Sequence, residues 1–248
     1  MPADTSISPT AGDPPGNPSA GQARANPPAP PLPAEAPADE RKATWRAWLR
    51  HQLSGIDSAT REELSSRIRG HLAAAGDQLW PGAAAGDPRR RFICLIFAGT
   101  EREPALLPLL KGDPAVSADA GVEISWALPK VRPEGQLSLH RVTDPERDLQ
   151  PGAYGLLEPD PDRCPAIAAA DIDLALVPGL GFAGGGLRLG QGGGYYDRLL
   201  PRLPRHCPVV GIGFQLQWFP TPPWNIRPHD RPVEAVVTEA GWAMPCKR

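Results

Sequence analysis

The sequence contains no apolar run approaching the ~20 residues needed to cross a bilayer, so no membrane-spanning helix is expected. Its start lacks the charged stretch and apolar core of a secretory signal and has too few arginines for an organelle transit peptide, which points to the cytoplasm. A surplus of either charge is also missing. The 26 Lys and Arg against 28 Asp and Glu leave a net charge of −2, with no basic field to attract nucleic acid. Four cysteines, Cys94, Cys164, Cys207 and Cys246, include no pair at metal-ligand spacing, so neither zinc nor a disulfide is expected. No histidine is placed by sequence to activate a thiol. Residues 1–40 lack any core-building apolar cluster and hold eleven prolines. Such a Pro/Ala-rich tail cannot bury enough surface to offset its chain entropy and is expected to be disordered. Residues 41–248 suffice for one α/β domain with its own core.

What the sequence does contain is a dense glycine loop, Arg188-Leu189-Gly190-Gln191-Gly192-Gly193-Gly194-Tyr195-Tyr196-Asp197-Arg198. Upstream, Ile172 to Val177 is a short apolar run closed by Pro178-Gly179; downstream, Tyr195 to Leu200 suits a helix until Pro201. A strand–loop–helix unit therefore carries the glycines. Glycine tolerates positive φ and lets amides approach a ligand without an intervening Cβ, and a following helix adds its positive end. A phosphate is the guest this chemistry suits. The loop matches neither common phosphate fingerprint, because no Gly-Lys-Ser/Thr ends it and its glycines alternate at 190, 192 and 194. Phosphate binding and a plain glycine-rich packing turn both remain open on the residues alone. Arg188, which can neutralise phosphate, and Asp197, which can hold a hard cation, favour the first.

The remaining pattern alternates helices and strands. Residues 58–75 space Leu64, Ile68, Leu72 and Ala75 as one helix face, with Asp57 or Ser58 as cap. Phe92 to Phe97 is continuously apolar, as in a central parallel strand covered on both faces. Glu101 and Glu103 follow it, and Pro104 to Leu110 suits a short helix. Val122 to Trp126 alternates as a half-exposed strand would, and Val209 to Phe214 reads as another strand. This predicts a three-layer α/β fold, an open and mostly parallel sheet with helices on both faces. Its ligands should sit beyond the strand ends, where Glu101, Pro129-Lys130 and the glycine loop converge.

Leu176-Val177-Pro178-Gly179-Leu180-Gly181-Phe182, followed by RLGQGGGYYDR and Leu200, closely resembles the signature of the 5-formyltetrahydrofolate cyclo-ligases, or methenyltetrahydrofolate synthetases. Lys42 with Arg46 resembles that family's opening helix, with Trp45 where Leu is usual. Glu101, Leu128-Pro129-Lys130-Val131, the run from Asp148-Leu149 through Tyr154-Gly155 to Glu158-Pro159, and His229-Asp230 before Ala235 to Glu239 fall in the family's order. The resemblance covers roughly residues 41–241. Two positions depart from it: Ala183, with Gly184-Gly185-Gly186, stands where Asp is frequent, which predicts a looser loop, and Gln191 stands where Tyr or Arg is common, read as harmless in a backbone cradle.

The resemblance implies ATP- and Mg²⁺-dependent cyclisation of 5-formyltetrahydrofolate to 5,10-methenyltetrahydrofolate, with ADP and phosphate released through a phosphorylated formyl intermediate. It implies nucleotide binding by Lys42, Arg46 and the loop residues Arg188, Leu189, Gly190, Gln191, Gly192, Gly193, Gly194, Tyr195 and Tyr196. Glu101 and Tyr154 would take the reduced folate, and Asp197 and Asp230 the Mg²⁺. No protein nucleophile is required. A monomer without nucleic-acid or membrane partners is expected. The alternatives are a catalytically inactive nucleotide- or folate-binding paralogue and, further off, an interaction protein docking through its proline-rich tail.

Overall fold

Continuous apolarity places a strand in the middle of a sheet, and Phe92-Ile93-Cys94-Leu95 has the company this demands. The computed structural model of the chain describes residues 29–30, 37–75, 79, 91–111, 124–224 and 231–243. Two helices, α1 (Ala38–Ser54) and α2 (Ser58–Ala74), precede β1 (Phe92–Leu95). There follow β2 (Ile124–Val131), β3 (Leu137–Val142), β4 (Leu149–Pro151), β5 (Leu157–Pro159), β6 (Ala166–Ile167), β7 (Leu174–Pro178), β8 (Gly181–Ala183) and β9 (Leu187–Leu189). The short helix α3 (Tyr195–Leu199) leads to β10 (Val209–Ile212), β11 (Trp218–Phe219), β12 (Ala235–Thr238) and β13 (Gly241–Ala243).

The main sheet runs β13-β12-β10-β7-β1-β2-β3-β6. Its five central strands, β12 to β2, are parallel, and β13, β3 and β6 join antiparallel at the edges. Period-two alternation divides its side chains between two cores. Leu174 and Leu176 face Trp45, Leu49, Ile68 and Leu72 of the first two helices. Ala175 and Val177 face Leu199, Leu200 and Leu203 on the other side. The expected three-layer α/β arrangement, mostly parallel with helices on both faces, is what the chain adopts.

Local chemistry sets the helix ends. Asp57 caps α2, accepting from the Thr60 backbone N–H at 2.9 Å and the Thr60 hydroxyl at 2.7 Å, as the Asp57-Ser58 start predicts. The first helix begins at Ala38, three residues inside the stretch assigned to the tail. The rest of that assignment lies outside the described residues, apart from Ala29, Pro30 and Pro37. Trp45, where Leu is usual in the resembling family, packs edge-on against Trp48, Phe219 and Trp224 at 5.3, 5.1 and 5.8 Å. That aromatic group holds α1 to the chain around β11 and so fixes which face of α1 looks at the glycine loop.

Three local expectations need correction. Of the alternating run from Val122 to Trp126, the described residues, 124–126, belong to β2, an interior strand flanked by β1 and β3, and Ser125 to Leu128 are buried rather than half-exposed. Pro129-Lys130 lies within that strand, paired to β3 through Pro129 and Leu139, not beyond its end. Pro104 to Leu106 are not helical; a 3₁₀ turn starts only at Leu107.

The glycine triplet is not slack either. It closes the β8–β9 hairpin, in which the Gly184 N–H donates to the Phe219 carbonyl at 3.0 Å and the Gly186 carbonyl accepts from Val233 N–H at 3.0 Å. Gly186 sits at φ 77°, and a Cβ there would collide with the Val233 carbonyl oxygen. The triplet is an anchored turn, and close backbone approach is why it is glycine.

Candidate functional site

The residues Lys42, Arg46 and Arg50 recur every fourth position of α1 and therefore share one face. Arg46 Nε donates to the Gly190 carbonyl at 3.0 Å. One turn later, Arg50 Nη2 donates to the Gln191 carbonyl at 2.7 Å and its Nε to Gln191 Oε1 at 3.2 Å. From the opposite flank Arg198 Nη2 donates to the Gly193 carbonyl at 2.6 Å, while Nε and Nη2 grip the Gly135 carbonyl at 2.9 and 2.7 Å. Three carbonyls of the loop are thus held by three arginines. Because a trans peptide is planar, the N–H that follows each carbonyl points to the opposite side. The amides of Gln191, Gly192 and Gly194 are each turned away from a guanidinium, and residues 191–193 are exposed. Gly192 at φ 110° and Gly194 at φ 70° are what allow this path. The helix α3 spans only five residues, so the loop amides, rather than a long helix dipole, supply the positive character.

Next to the loop, Arg188 donates to the Asp197 carboxylate and lies over the Tyr196 ring at 5.6 Å. The Tyr196 hydroxyl is buried without a hydrogen-bond partner among the described residues. Burial pushes its phenol pKa up, and the charge of Glu103 adds to this. Glu103 is 8% exposed and accepts from the Thr100 N–H at 2.9 Å. Burial raises its pKa, opposed by hydrogen bonds from Thr100 and from the Gln191 side chain.

A second wall carries Tyr154 at the turn of the β4–β5 hairpin. Its backbone sits at φ 57°, an uncommon conformation for a large side chain. The ring is 75% exposed, and its hydroxyl shares a 2.8 Å hydrogen bond with the Tyr195 hydroxyl. Glu158 braces this turn, accepting from Ala153 and Val131 N–H at 3.3 Å each and from Lys130 Nζ at 3.2 Å. Asp148 pins the hairpin's base, accepting from the amides of Thr143 and Asp144.

The structure brings Arg46, the loop residues 188–196, Asp197 and Tyr154 into one neighbourhood. Lys42 lies on the same helix face, half-buried, with no hydrogen-bond or ion-pair partner among the described residues. Glu101 does not join them: its side chain is 83% exposed and meets Arg102 at 3.6 Å. The second carboxylate assigned to the metal, Asp230, lies outside the described residues. Sequence reasoning missed Arg50, Glu103 and Arg198. The first was legible as the next step of the Lys42-Arg46 stripe and the last as the end of the glycine motif, whereas nothing local separates Glu103 from Glu101. Gln191, read as contributing mainly backbone, also uses its side chain, whose Oε1 accepts from Arg50 Nε. Cys94 and Cys207 are buried free thiols, and burial pushes both up, Cys207 to about 12, which suits core packing rather than nucleophilic chemistry.

A parallel α/β sheet with a glycine loop beyond its strands is a nucleotide-type architecture, and known proteins make the class specific. A profile of the 5-formyltetrahydrofolate cyclo-ligase family matches residues 118–239. A 5-formyltetrahydrofolate cyclo-ligase of Mycolicibacterium smegmatis is 29% identical over 200 residues, covering 79% of this chain and 93% of that protein. The mitochondrial 5-formyltetrahydrofolate cyclo-ligase of Arabidopsis thaliana is 34% identical over 109 residues, 38% of this chain. The chain spans only 39% of that Arabidopsis relative's length and 37% of a Mus musculus relative's. Among solved structures, the Aquifex aeolicus 5,10-methenyltetrahydrofolate synthetase superposes with a TM-score of 0.64 at 28% identity, covering 84% of this chain and 94% of that one. The chain is thus similar to 5-formyltetrahydrofolate cyclo-ligases in sequence and to a methenyltetrahydrofolate synthetase in structure.

Proposed function

We propose that this chain catalyses the ATP- and Mg²⁺-dependent cyclisation of 5-formyltetrahydrofolate to 5,10-methenyltetrahydrofolate, releasing ADP and phosphate. The observation that carries the reading is the set of arginines on the carbonyls of Gly190, Gln191 and Gly193, which turns the loop's amide donors outward for phosphate oxygens. The loop from Arg188 to Tyr196 holds the phosphates, with Lys42 and Arg46 closing from α1. In the reaction, the formyl oxygen takes the γ-phosphoryl group, N10 attacks the activated carbon, and the phosphate leaves with that oxygen. Positioning and charge neutralisation are the protein's share in such a transfer.

Asp197 fits a Mg²⁺ ligand: it offers hard oxygens, is 44% exposed, and stands beside the phosphate loop. Magnesium is commonly held by one or two carboxylates with phosphate oxygens and water, and Asp230 is assigned the second place. When bound, the ion supplies charge neutralisation at the phosphates. Arg188 spans Asp197 and the Tyr196 ring, so it can follow either the carboxylate or an arriving phosphate. On the folate side, the exposed Tyr154 ring offers an apolar face to the pterin; Glu101, assigned to its amino and ring N–H groups, stands apart from Tyr154 with its side chain in solvent and would have to turn inward to reach them.

The inactive-paralogue alternative drew on Ala183 and the glycine triplet; the triplet is an anchored turn, and a turnover assay separates the two readings. A cytoplasmic monomer remains our reading; no helix among the described residues is long and apolar enough to cross a membrane. The test is calorimetric titration with ATP and Mg²⁺, paired with the absorbance of methenyltetrahydrofolate formed from 5-formyltetrahydrofolate. Saturable ATP binding and ATP-dependent product support the proposal, and its failure on both counts refutes it.

A further inference from the structure

The hairpin β4–β5 pairs only with itself among the described strands, and its tip has an uncommon backbone. Tyr154 adopts φ 57° and Gly155 φ 73°; a bulky side chain holds such a conformation only where its surroundings impose it. Gly152 N–H donates to the Leu156 carbonyl at 2.8 Å and Leu156 N–H to the Ala153 carbonyl at 3.1 Å, which closes the turn. The turn carries the Tyr154 ring out into solvent, where core packing cannot account for it. What the ring meets there is Tyr195: the two ring centroids stand 6.1 Å apart at 72°, edge to face, and the hydroxyls share a 2.8 Å hydrogen bond. Tyr195 in turn is seated on the glycine loop. A Cβ at Gly193 would collide with its ring at 2.8 Å, and Arg198, which grips the Gly193 carbonyl, lies over the same ring at 5.7 Å. A continuous line of contacts therefore runs from the loop backbone through both phenols to the hairpin tip.

We propose that Tyr154 and Tyr195 are a positioning pair whose hydroxyl–hydroxyl bond couples the hairpin to the phosphate loop, so that folate and nucleotide each tighten the binding of the other. This rests on the two assignments above, ATP to the loop and the pterin to Tyr154. A tyrosine fixed at its backbone by the turn and at its far end by a hydrogen bond has one ring orientation, and its face is preorganised for a ligand. The partner hydroxyl belongs to the first residue of α3, directly after Gly194 at φ 70°. Ordering of the loop by a nucleotide therefore also fixes the ring that receives the pterin, and by linkage the converse holds with the same factor. A neutral hydrogen bond of ordinary net strength corresponds to about a fivefold effect on such an equilibrium.

Phenylalanine at either position deletes one hydroxyl and keeps both rings, which isolates the bond. The dissociation constant of an ATP analogue that cannot transfer its γ-phosphoryl group, with Mg²⁺, is measured with and without saturating 5-formyltetrahydrofolate on the parent, Tyr154→Phe, Tyr195→Phe and the double variant, alongside hydrogen exchange of the ligand-free proteins. In the parent, folate should tighten the analogue about fivefold, and in each single variant that ratio should fall below about twofold. The double variant should lose no more than either single one, because the same bond is removed in all three. Exchange should report the link without ligand: Tyr195→Phe should speed residues 152–158, and Tyr154→Phe residues 190–195, each about threefold or more. A merely structural phenol would loosen its own segment and leave the other segment and the ligand ratio unchanged. A parent ratio of one, a parent ratio retained in the single variants, a double variant markedly worse than either, or exchange confined to the mutated segment overturns the pair. Should the parent bind no nucleotide or no folate, the functional assignment falls, and the exchange arm still decides whether the hydroxyls tie hairpin to loop.

Discussion

Arg188 donates a hydrogen bond to the carboxylate of Asp197 across nine residues of chain that include all of the loop's glycines. The pair closes the base of the loop, and it leaves Asp197 charge-matched by a residue that also suits phosphate. Replacing the carboxylate with its amide keeps the size and removes the charge that attracts Mg²⁺. Asp197→Asn should raise the Mg²⁺ concentration for half-maximal turnover by about tenfold, with far less effect on folate binding measured without nucleotide. Asp230→Asn is expected to act in the same direction, and the double variant less than additively because one ion is shared. A Mg²⁺ titration of Asp197→Asn that overlays the parent's would remove it from the site.

Gly192 is exposed at φ 110°, and a Cβ there would meet only Arg46, at 3.8 Å. Space is not the obstacle; backbone conformation is. A valine resists positive φ, so Gly192→Val should shift the loop path and turn its amides away from the ligand. We expect ATP affinity to fall by more than about tenfold in calorimetry, with a thermal midpoint within about 4 °C of the parent, since strain of about 1 kcal/mol in an exposed loop costs little fold stability. Unchanged affinity in a folded variant would contradict the phosphate cradle.

Gly186 differs in kind, because it combines φ 77° with a collision against the Val233 carbonyl oxygen. Gly186→Ala should cost about 3 kcal/mol by chemical denaturation, the range of a forced backbone shift plus strain. If the variant were as stable as the parent, the hairpin would be the slack loop its composition suggests.

Asp148 predicts a pH dependence. Burial pushes its carboxyl up, but hydrogen bonds from Arg147, from the Asp144 amide and from the amide and hydroxyl of Thr143 outweigh this and hold it far below the ordinary value of 3.8. The folded state therefore releases this proton more readily than the unfolded state. Its contribution is fully present above that ordinary value and is lost as pH falls through the lowered one. Asp148→Asn should cost about 2 kcal/mol at neutral pH and flatten the loss of stability below about pH 4. Acid denaturation curves of equal slope would show that the anchor of the Tyr154 hairpin is not electrostatic.

The architecture was legible where periodicity is strong. The apolar run from Phe92 and the Leu64-Ile68-Leu72 face gave a covered central strand and a packed helix, as found. The glycine loop was legible because glycine spacing reports backbone geometry directly. What stayed hidden depended on contacts distant in sequence. No local pattern announces that Gln191 meets Arg50, 141 residues away, or that Glu103 turns inward while Glu101 faces solvent. The same holds for the glycine triplet, whose composition suggests slack until Phe219 and Val233 are seen bonded to it.

The central claim is that ATP activates the formyl oxygen, and the fate of that oxygen tests it most directly. Turnover should be run with 5-formyltetrahydrofolate carrying a heavy-oxygen label in the formyl group, with methenyltetrahydrofolate, ADP and phosphate measured together. The account predicts one ADP per methenyl product and the label in the released phosphate. Binding of ATP without product, or product whose formyl label appears in water instead of phosphate, would contradict it.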